Sequence, residues 1–402
     1  MIEMSPFVVD NPKFVDGHKK NGVNFTSGQV QRPIACISPR SSLTRLQGPN
    51  RISASYLLKV SVNATILINK IMKTKETIGI DVSKKTIDVH IHGKNMHRVF
   101  DNCPGEIKKM VGWALKGTDL DKGETMFVFE HTGLYSHQLS ATLSGLGAMY
   151  AMVSGLEIKR SLGLARGKDD RADAAKIALY GHRLREELQP CQMPSEELQS
   201  LKRLLGLRDR MVKQRAGYKT SLKEEKRVLR RKGNKVLFEA QEQAIKDLSK
   251  KVVRIEAAMD EIIKEAQGLK KIYELITSIK GVGPQTALYM IAYTQGFTQF
   301  ESSRKFASYC GVAPFPNSSG TSIRGRTKVS HLANKKIKSL LDLCSKTALQ
   351  HNPEIRQYYR RRLEQGKNKM STVNVVRNKL LARIFAVVKR GTPYVDTMKY
   401  AA

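Results

Sequence analysis

The sequence predicts an α/β sheet domain followed by a long antiparallel helical hairpin and a mostly helical C-terminal domain. Three observations lead to this prediction. Short apolar runs alternate with helical patterns between about residues 75 and 190, which is typical of a sheet flanked by helices. Residues 196–267 carry almost no strand signal but hold an unbroken heptad, and residues 272–395 have a mostly helical pattern. We therefore expect domains at 72–192, 193–269 and 270–402.

The charge of the chain points to a polyanionic partner. The 402 residues include 70 Lys and Arg against 36 Asp and Glu, a formal net charge of +34. A globular protein this basic repels itself unless a polyanion neutralises it. Nucleic acid is the expected partner, and an anionic membrane surface is the weaker alternative. No apolar run approaches the roughly 18 residues of a membrane span, and five Cys without a CxxC pair argue against a disulfide-stapled scaffold.

Residues 1–71 differ from the rest of the chain. Pro, Ser, Asn and Gly are scattered through them, and 37–42 and 47–50 have the composition of loops. An ordered strand pattern begins directly after Met72. We expect 1–71 to be a disordered or non-native N-terminal extension, with translation beginning near Met72, which N-terminal sequencing of the expressed protein would test.

The elements of the sheet domain follow from period and turn residues. Thr77–His92 reads as a strand hairpin that turns at Ser83-Lys84-Lys85. The other expected elements are a helix at 104–116, a strand at 126–130, a helix at 135–147, a strand at 148–153 and a helix that opens at 170–179.

The helical hairpin is predicted from a heptad and a break. Apolar residues occupy its a and d positions at Ile245, Leu248, Val252, Ile255, Met259 and Ile262. Gly233-Asn234 is a plausible helix break, and the tip around it, residues 230–235, is strongly basic. A solvated helix end and a nucleic-acid contact explain this tip equally well.

Four acids form the first candidate site. Asp81 and Glu130 end predicted strands, where an open α/β sheet places its ligands. Asp170 and Asp173 are three residues apart at the start of a helix, so both project from one face. Four converging carboxylates could hold one or two Mg²⁺ ions, which would clamp the attacking and leaving oxygens of a phosphodiester. The plainer alternative is that each acid caps a turn or a helix.

Two further segments suit contact with nucleic acid. Lys280-Gly281-Val282-Gly283 lies between helical patterns at 270–278 and 285–294, as in a helix-hairpin-helix whose amides face a phosphate; a plain interhelical turn is the alternative. Residues 355–392 hold eleven Lys and Arg, among them Arg360, Arg361 and Arg362, and a single acid. That pattern predicts a basic helical surface.

A serine-containing loop is the last candidate. Ser319-Gly320 is followed by three cations, Arg324, Arg326 and Lys328, so a hydroxyl could stand beside a bound phosphate. A serine hydroxyl is a weak nucleophile until a base or a metal activates it. Read alone, Ser319 is better explained as a turn residue.

Together these segments resemble the DEDD-type insertion-sequence transposases, the group that includes Piv-type DNA invertases and bridge-RNA-guided recombinases. The resemblance covers about residues 76–395. It rests on five segments in the family's order: Gly79-Ile-Asp81-Val-Ser83-Lys84, Glu130-His-Thr-Gly133-Leu-Tyr135, Lys168-Asp-Asp170-Arg171-Ala-Asp173-Ala174, Gly281-Val-Gly283 and Ser319-Gly320.

The resemblance implies a fold, a metal and a mechanism. The sheet domain would be a resolvase-like RNase H fold in which Asp81, Glu130, Asp170 and Asp173 bind Mg²⁺. Ser319, with Ser318 as its neighbour and rival, would attack DNA and form a covalent phosphoserine link. The resemblance also implies an element-encoded guide RNA and a homo-oligomer, a dimer or a tetramer, with a site shared between protomers.

The sequence thus predicts a cytoplasmic, nucleoid-associated bacterial transposase or recombinase that cuts and rejoins DNA. Two alternatives stay open. A metal-dependent junction nuclease would use the same acids and leave Ser319 structural. A decayed element copy would bind nucleic acid without catalysis. In every case binding should weaken steeply with salt.

Overall fold

A five-stranded sheet lies at the centre of the first part of the chain. The strand order is β3-β2-β1-β4-β5; β1 is antiparallel to β2 and parallel to β4, β2 is antiparallel to β3, and β4 is parallel to β5. The strands are β1 (Glu76–Val82), β2 (Thr86–Ile91), β3 (Met96–Asp101), β4 (Thr125–Glu130) and β5 (Met149–Val153).

Helices cover both faces of this sheet. They are α1 (Pro104–Thr118), α2 (Tyr135–Gly145), α3 (Gly155–Leu162) and α4 (Asp170–Arg183). Ile78 and Phe127 pack towards α1 and α2 on one face, whereas Val128 packs with Ile177 and Tyr180 of α4 on the other. Because helices cover both faces, β1 and β4 are buried at nearly every position.

The computed structural model describes residues 74–163, 169–320 and 322–396. The N-terminal extension 1–71 and the proposed start at Met72 therefore lie outside the described residues, as does Lys168. Within the described ranges, no helix is long and apolar enough to cross a membrane.

The predicted elements of the sheet domain are confirmed, and two more are present. The sequence interpretation missed β3, so the strand at 126–130 is the fourth in the chain and not the third. β3 is an edge strand with mostly exposed positions, and its residues do not alternate between apolar and polar. It also missed α3, which has only eight residues and begins at Gly155, too short for a helical period to show.

Two long helices form the predicted hairpin. They are α5 (Glu196–Val228) and α6 (Lys235–Glu265), with the break near Gly233. Their antiparallel course is fixed by ion pairs from Arg208 to Glu256 and from Lys226 to Glu242, both 2.6 Å. Of the predicted heptad positions, Leu248, Val252, Ile255 and Met259 are buried, whereas Ile245 and Ile262 are half-buried and Ile263 is buried next to Ile262. A helix drifts about 20° per heptad from a strict 3.5-residue repeat, so the seam shifts by one residue at the end.

The C-terminal region is mostly helical, as predicted, but it contains a strand hairpin. Its elements are α7 (Gln267–Thr277), α8 (Pro284–Thr294), α9 (Ser303–Tyr309), β6 (Pro314–Ser319), β7 (Ile323–Val329), α10 (Lys335–His351), α11 (Pro353–Glu364) and α12 (Lys369–Arg390). The base of the helical hairpin shares this core, since Leu205, Met259 and Ile263 pack with its helices.

Backbone packing at Gly79 seats α4 on β1. A Cβ at Gly79 would overlap the amide nitrogen of Ala178 and the carbonyl oxygen of Ala174, both backbone atoms of α4. The Thr77 hydroxyl donates to the Ala178 carbonyl oxygen at 3.2 Å, which holds the same helix one step along the strand. Only glycine permits this approach, so the position of α4 depends on Gly79.

We predict that Gly79→Ala lowers the free energy of unfolding by about 1–3 kcal/mol, because the added methyl group forces the two backbones apart. Thermal or urea denaturation measures this loss. Gly112→Ala is the matched control: it lies in α1 with no atom within 4 Å of the new Cβ, and it should stabilise the helix by about 0.5–1 kcal/mol. Equal stability of the two variants would contradict the role given to Gly79.

Candidate active site

Three of the predicted acids meet where β1 ends beneath the start of α4. Asp81 lies two residues after Gly79 on β1, so it points to the face that α4 covers. Asp170 and Asp173 occupy the first turn of α4. The helix contacts Gly79 through Ala174 and Ala178, which places its first turn beyond Gly79 towards Asp81. Negative side chains also suit the N-terminal end of a helix.

The electrostatics of Asp81 show how close these acids are. Burial is the largest effect, and together with the charges of Asp170 and Asp173 it raises the pKa of Asp81 to about 6. The backbone amide of Val82 works against this shift, and the charge of Asp88 adds to it. Three carboxylates thus repel one another at one edge of the sheet, and a bound cation would relieve that repulsion.

Glu130 lies on the same face but has a different neighbour. It ends β4, and Val128, two residues earlier, packs against Gly181 of α4, so Glu130 also points to the α4 side. The β1–β4 register pairs Ile80 with Phe129, which places Glu130 level with Asp81. Its carboxylate rests on Gly155 at the start of α3, where a Cβ would overlap it.

The carboxylates fit a divalent cation by chemistry but do not form a finished coordination sphere. Carboxylate oxygens are the ligands that Mg²⁺ prefers. The Asp173 carboxylate is paired with Lys176 at 2.7 Å. Among residues 74–163, 169–320 and 322–396, no three His, Cys, Asp or Glu side chains are placed to hold one metal ion as they are oriented. A cation would therefore have to replace Lys176 at Asp173.

Ser319 lies at the end of an exposed strand hairpin, where the sequence predicted a loop. It is the last residue of β6, and every residue of β6 is exposed. Ser319 pairs with Ile323 and Ser318 pairs with Arg324. The groups that act on Asp81 belong to β1, β2 and α4, and Glu130 rests on α3, so Ser319 takes no part in the described contacts of the acids.

A bulge in this hairpin sorts the cations between its two faces. The register pairs Phe315 with Lys328 and Asn317 with Gly325, so Arg326 and Thr327 together oppose Pro316. Alternation along β6 then places Ser319 on the face of Lys328, and Ser318 on the face of Arg324. The sequence analysis took the three cations as one group. Only the strand register shows that Lys328 and Arg324 lie on opposite faces of the hairpin.

The Gly281–Gly283 turn is present between α7 and α8, but its groups have protein neighbours. A Cβ on Gly281 would lie 2.7 Å from the Ala348 Cβ of α10, and Gly281 has a positive φ of 98°. The Lys280 ammonium forms an ion pair with Asp396 at 2.8 Å. These contacts suit an interhelical turn; the phosphate contact predicted for Lys280, Gly281 and Gly283 stays a prediction.

The arginines of α11 differ in exposure. Arg360 and Arg361 are exposed, and the Arg361 guanidinium lies 5.7 Å from the Tyr358 ring centre. Arg362 is half-buried. Two of the three predicted cations are therefore open to a ligand.

Sequence reasoning missed Asp88 on β2. The β1–β2 register places it directly opposite Asp81. The sequence could have revealed this pair. In a hairpin that turns at Ser83-Lys84-Lys85, each residue of the first strand lies opposite a residue about as far beyond the turn, which for Asp81 is Asp88. Motif resemblance drew attention to Asp81 alone.

We predict that Asp81→Asn stabilises the metal-free protein only at higher pH. Because folding raises the pKa of Asp81, its contribution to stability is present below about pH 4 and is lost as the pH rises through about 6. At pH 7.5 the variant should be more stable than wild type by about 1 kcal/mol, allowing for partial exposure, and at pH 4 the two should match. Urea denaturation with EDTA measures both values, and exposed Asp101→Asn is the control. A stability difference independent of pH would contradict this assignment.

Comparison with known proteins identifies the family. Residues 78–230 match a DEDD transposase model of the IS110 type, and residues 273–360 match the model described as "Transposase IS116/IS110/IS902 family". DEDD transposase domains typically depend on a divalent metal.

Three similar proteins agree with these matches. The pilin gene-inverting proteins of Moraxella bovis and Moraxella lacunata are each 24% identical over 328 residues, which is 80% of this chain and 98% of theirs. An insertion element IS110 protein of 43.6 kDa from Streptomyces coelicolor is 31% identical over 124 residues, which is 31% of this chain and 30% of that protein. The mixed sheet with helices on both faces is consistent with an RNase H-like DEDD domain. The chain therefore belongs to the IS110 family of transposases and DNA invertases.

Proposed function

We propose that this transposase cuts and rejoins DNA strands for an insertion sequence, with Ser319 as nucleophile and the acids as a Mg²⁺ site. The proposal is supported by the carboxylates of Asp81, Asp170 and Asp173, which lie close together where β1 ends and raise the pKa of Asp81. They do so in a chain whose net charge is +34. Such a chain attracts polyanions, whereas these mutually repelling carboxylates would take a cation.

The acids would differ in their roles as ligands of that cation. Asp81 is the central ligand, because both Asp170 and Asp173 act on it. Glu130, level with Asp81 on the next strand, would complete the set by turning from Gly155. Bound Mg²⁺ would polarise the phosphate and stabilise charge that develops on its oxygens.

Ser319 suits the role of nucleophile by its position. Its side chain is exposed at the end of β6, and Gly320 after it has a positive φ of 55° with open space around it. Attack by the hydroxyl on a phosphodiester forms a phosphoserine ester and releases a DNA hydroxyl. Because the new ester keeps the energy of the broken bond, reversal with another DNA hydroxyl rejoins strands without ATP.

Cationic surfaces would hold the nucleic acid. Arg324, Arg326 and Lys328 are exposed on the serine hairpin, and Arg360 and Arg361 on α11. We propose DNA as the substrate and a structured guide RNA as a second partner, gripped through its backbone and shape. A homo-oligomer, dimer or tetramer, would bring Ser319 of one protomer to the acids of another, in the cytoplasm at the nucleoid.

A metal-dependent junction nuclease is the second candidate. The observation that favours it is the absence of Ser319 from the described contacts of the acids. In that reaction a metal-activated water would attack the phosphodiester, and Ser319 would only shape the hairpin.

We predict that Ser319→Ala abolishes the protein–DNA adduct and strand exchange on a branched DNA substrate. Denaturing gels detect the adduct, and peptide mapping finds the modified residue. Ser318→Ala and Ser322→Ala are the matched controls, both exposed and close by on the same hairpin, and both should keep the adduct. Cleavage by Ser319→Ala at the wild-type rate would favour the nuclease, and loss of the adduct in Ser318→Ala alone would move the nucleophile to Ser318.

We predict that the face of Lys328 contacts DNA phosphates, because Ser319 lies on that face. Lys328→Gln should weaken binding of every sequence and lower the slope of log K against log [salt] by about 1. Arg324→Gln, on the opposite face, should change the slope less. Filter binding between 50 and 200 mM salt measures both slopes. The reverse order would place Ser318 and Arg324 against the DNA.

A further inference from the structure

Asp88 is a fifth carboxylate near the four predicted acids. It lies on β2, directly opposite Asp81 in the antiparallel register. Opposed residues of an antiparallel pair point to the same face, with their Cβ atoms about 4.5–5.5 Å apart. Asp88 therefore lies on the α4 side of the sheet, and its charge contributes to the raised pKa of Asp81.

This is an unfavourable position for an acid. Like charges directly opposite each other destabilise a sheet, and a largely buried Asp needs a partner. The Asp88 side chain is only 14% exposed. A small apolar or hydroxyl side chain would fill the same strand position without repelling Asp81.

His97 supplies the partner from the next strand. Its Nε2 lies 3.0 Å from the Asp88 Oδ1, and its side chain is 15% exposed. His97 sits opposite His90 in the β2–β3 register, on the same face of the sheet as Asp88. The edge strand β3, which the sequence did not reveal, thus carries a group that fixes one carboxylate oxygen beside the acidic edge.

We propose that Asp88, oriented by His97, is a positioning residue for the divalent cation at Asp81, which it holds through the water shell of the cation. This inference rests on the metal site of the proposed function. Mg²⁺ keeps several waters when it is bound by carboxylates, and these waters need acceptors. Because His97 bonds to Oδ1, Asp88 has its other oxygen to accept a hydrogen bond from such a water, and we assign it this role rather than a direct bond to the ion.

The test measures Mn²⁺ binding to the full chain without DNA, by electron paramagnetic resonance of free Mn²⁺. Asp88→Asn should weaken Mn²⁺ binding about 10–100-fold, the usual effect of an outer-sphere partner. His97→Gln, which keeps a donor near the position of Nε2, should bind like wild type, whereas His97→Ala should weaken binding in the direction of Asp88→Asn. Asp101→Asn, an exposed acid on β3, is the matched control and should be unchanged.

Three outcomes would overturn the proposal. If Asp88→Asn keeps the wild-type affinity for Mn²⁺ and changes only the thermal stability, the Asp88–His97 pair serves only to hold β2 and β3 together. Complete loss of binding would make Asp88 a direct ligand, and equal weakening in Asp101→Asn would make the effect one of net charge. If Asp88→Asn fails to fold, Asp88→Ser takes its place. If the wild type and Asp81→Asn bind Mn²⁺ equally poorly, the metal site of the proposed function has failed, which differs from a failure at Asp88 alone.

Discussion

The close approach of α4 to β1 at Gly79 decides where the acids lie. The helix rests on the strand backbone through Ala174 and Ala178, and the Thr77 hydroxyl binds the same turn. With the helix so close, its first turn must pass over the end of the strand, which carries Asp81. Chain segments almost ninety residues apart thus deliver carboxylates to one place, and a single methyl group at Gly79 would separate them.

The acids form a negative island in a positive chain. The net charge of +34 draws phosphates towards the molecule, but Asp81, Asp170 and Asp173 repel any phosphate that comes near them. A divalent cation resolves this conflict, because it neutralises the carboxylates and offers positive charge to the phosphate. Asp81 is half-buried and burial raises its pKa to about 6, so this carboxyl group is mostly ionised at neutral pH and would gain from a bound cation.

The sequence predicted the parts of the fold whose pattern is local. Apolar runs located β1, β4 and β5, and the heptad located the helical hairpin, because burial there repeats with a fixed period. The edge strand β3 was not predicted, because its mostly exposed residues show no regular pattern of apolar positions. The β6–β7 hairpin escaped for the same reason, as all of β6 is exposed. Motifs found the four acids and Ser319, whereas Asp88 and the separation of Arg324 from Lys328 depend on strand register, which no single motif encodes.

The helix α5 contacts both the sheet domain, which carries the acids, and the C-terminal region, which carries Ser319. At its start, Gln199 and Arg203 bond to His137 of α2, beside the sheet. About two turns further along, Asp209 accepts hydrogen bonds from Tyr289 of α8 and Lys336 of α10 in the C-terminal core. In the site shared between protomers that we propose, a second protomer would supply Ser319 and leave both sets of contacts intact.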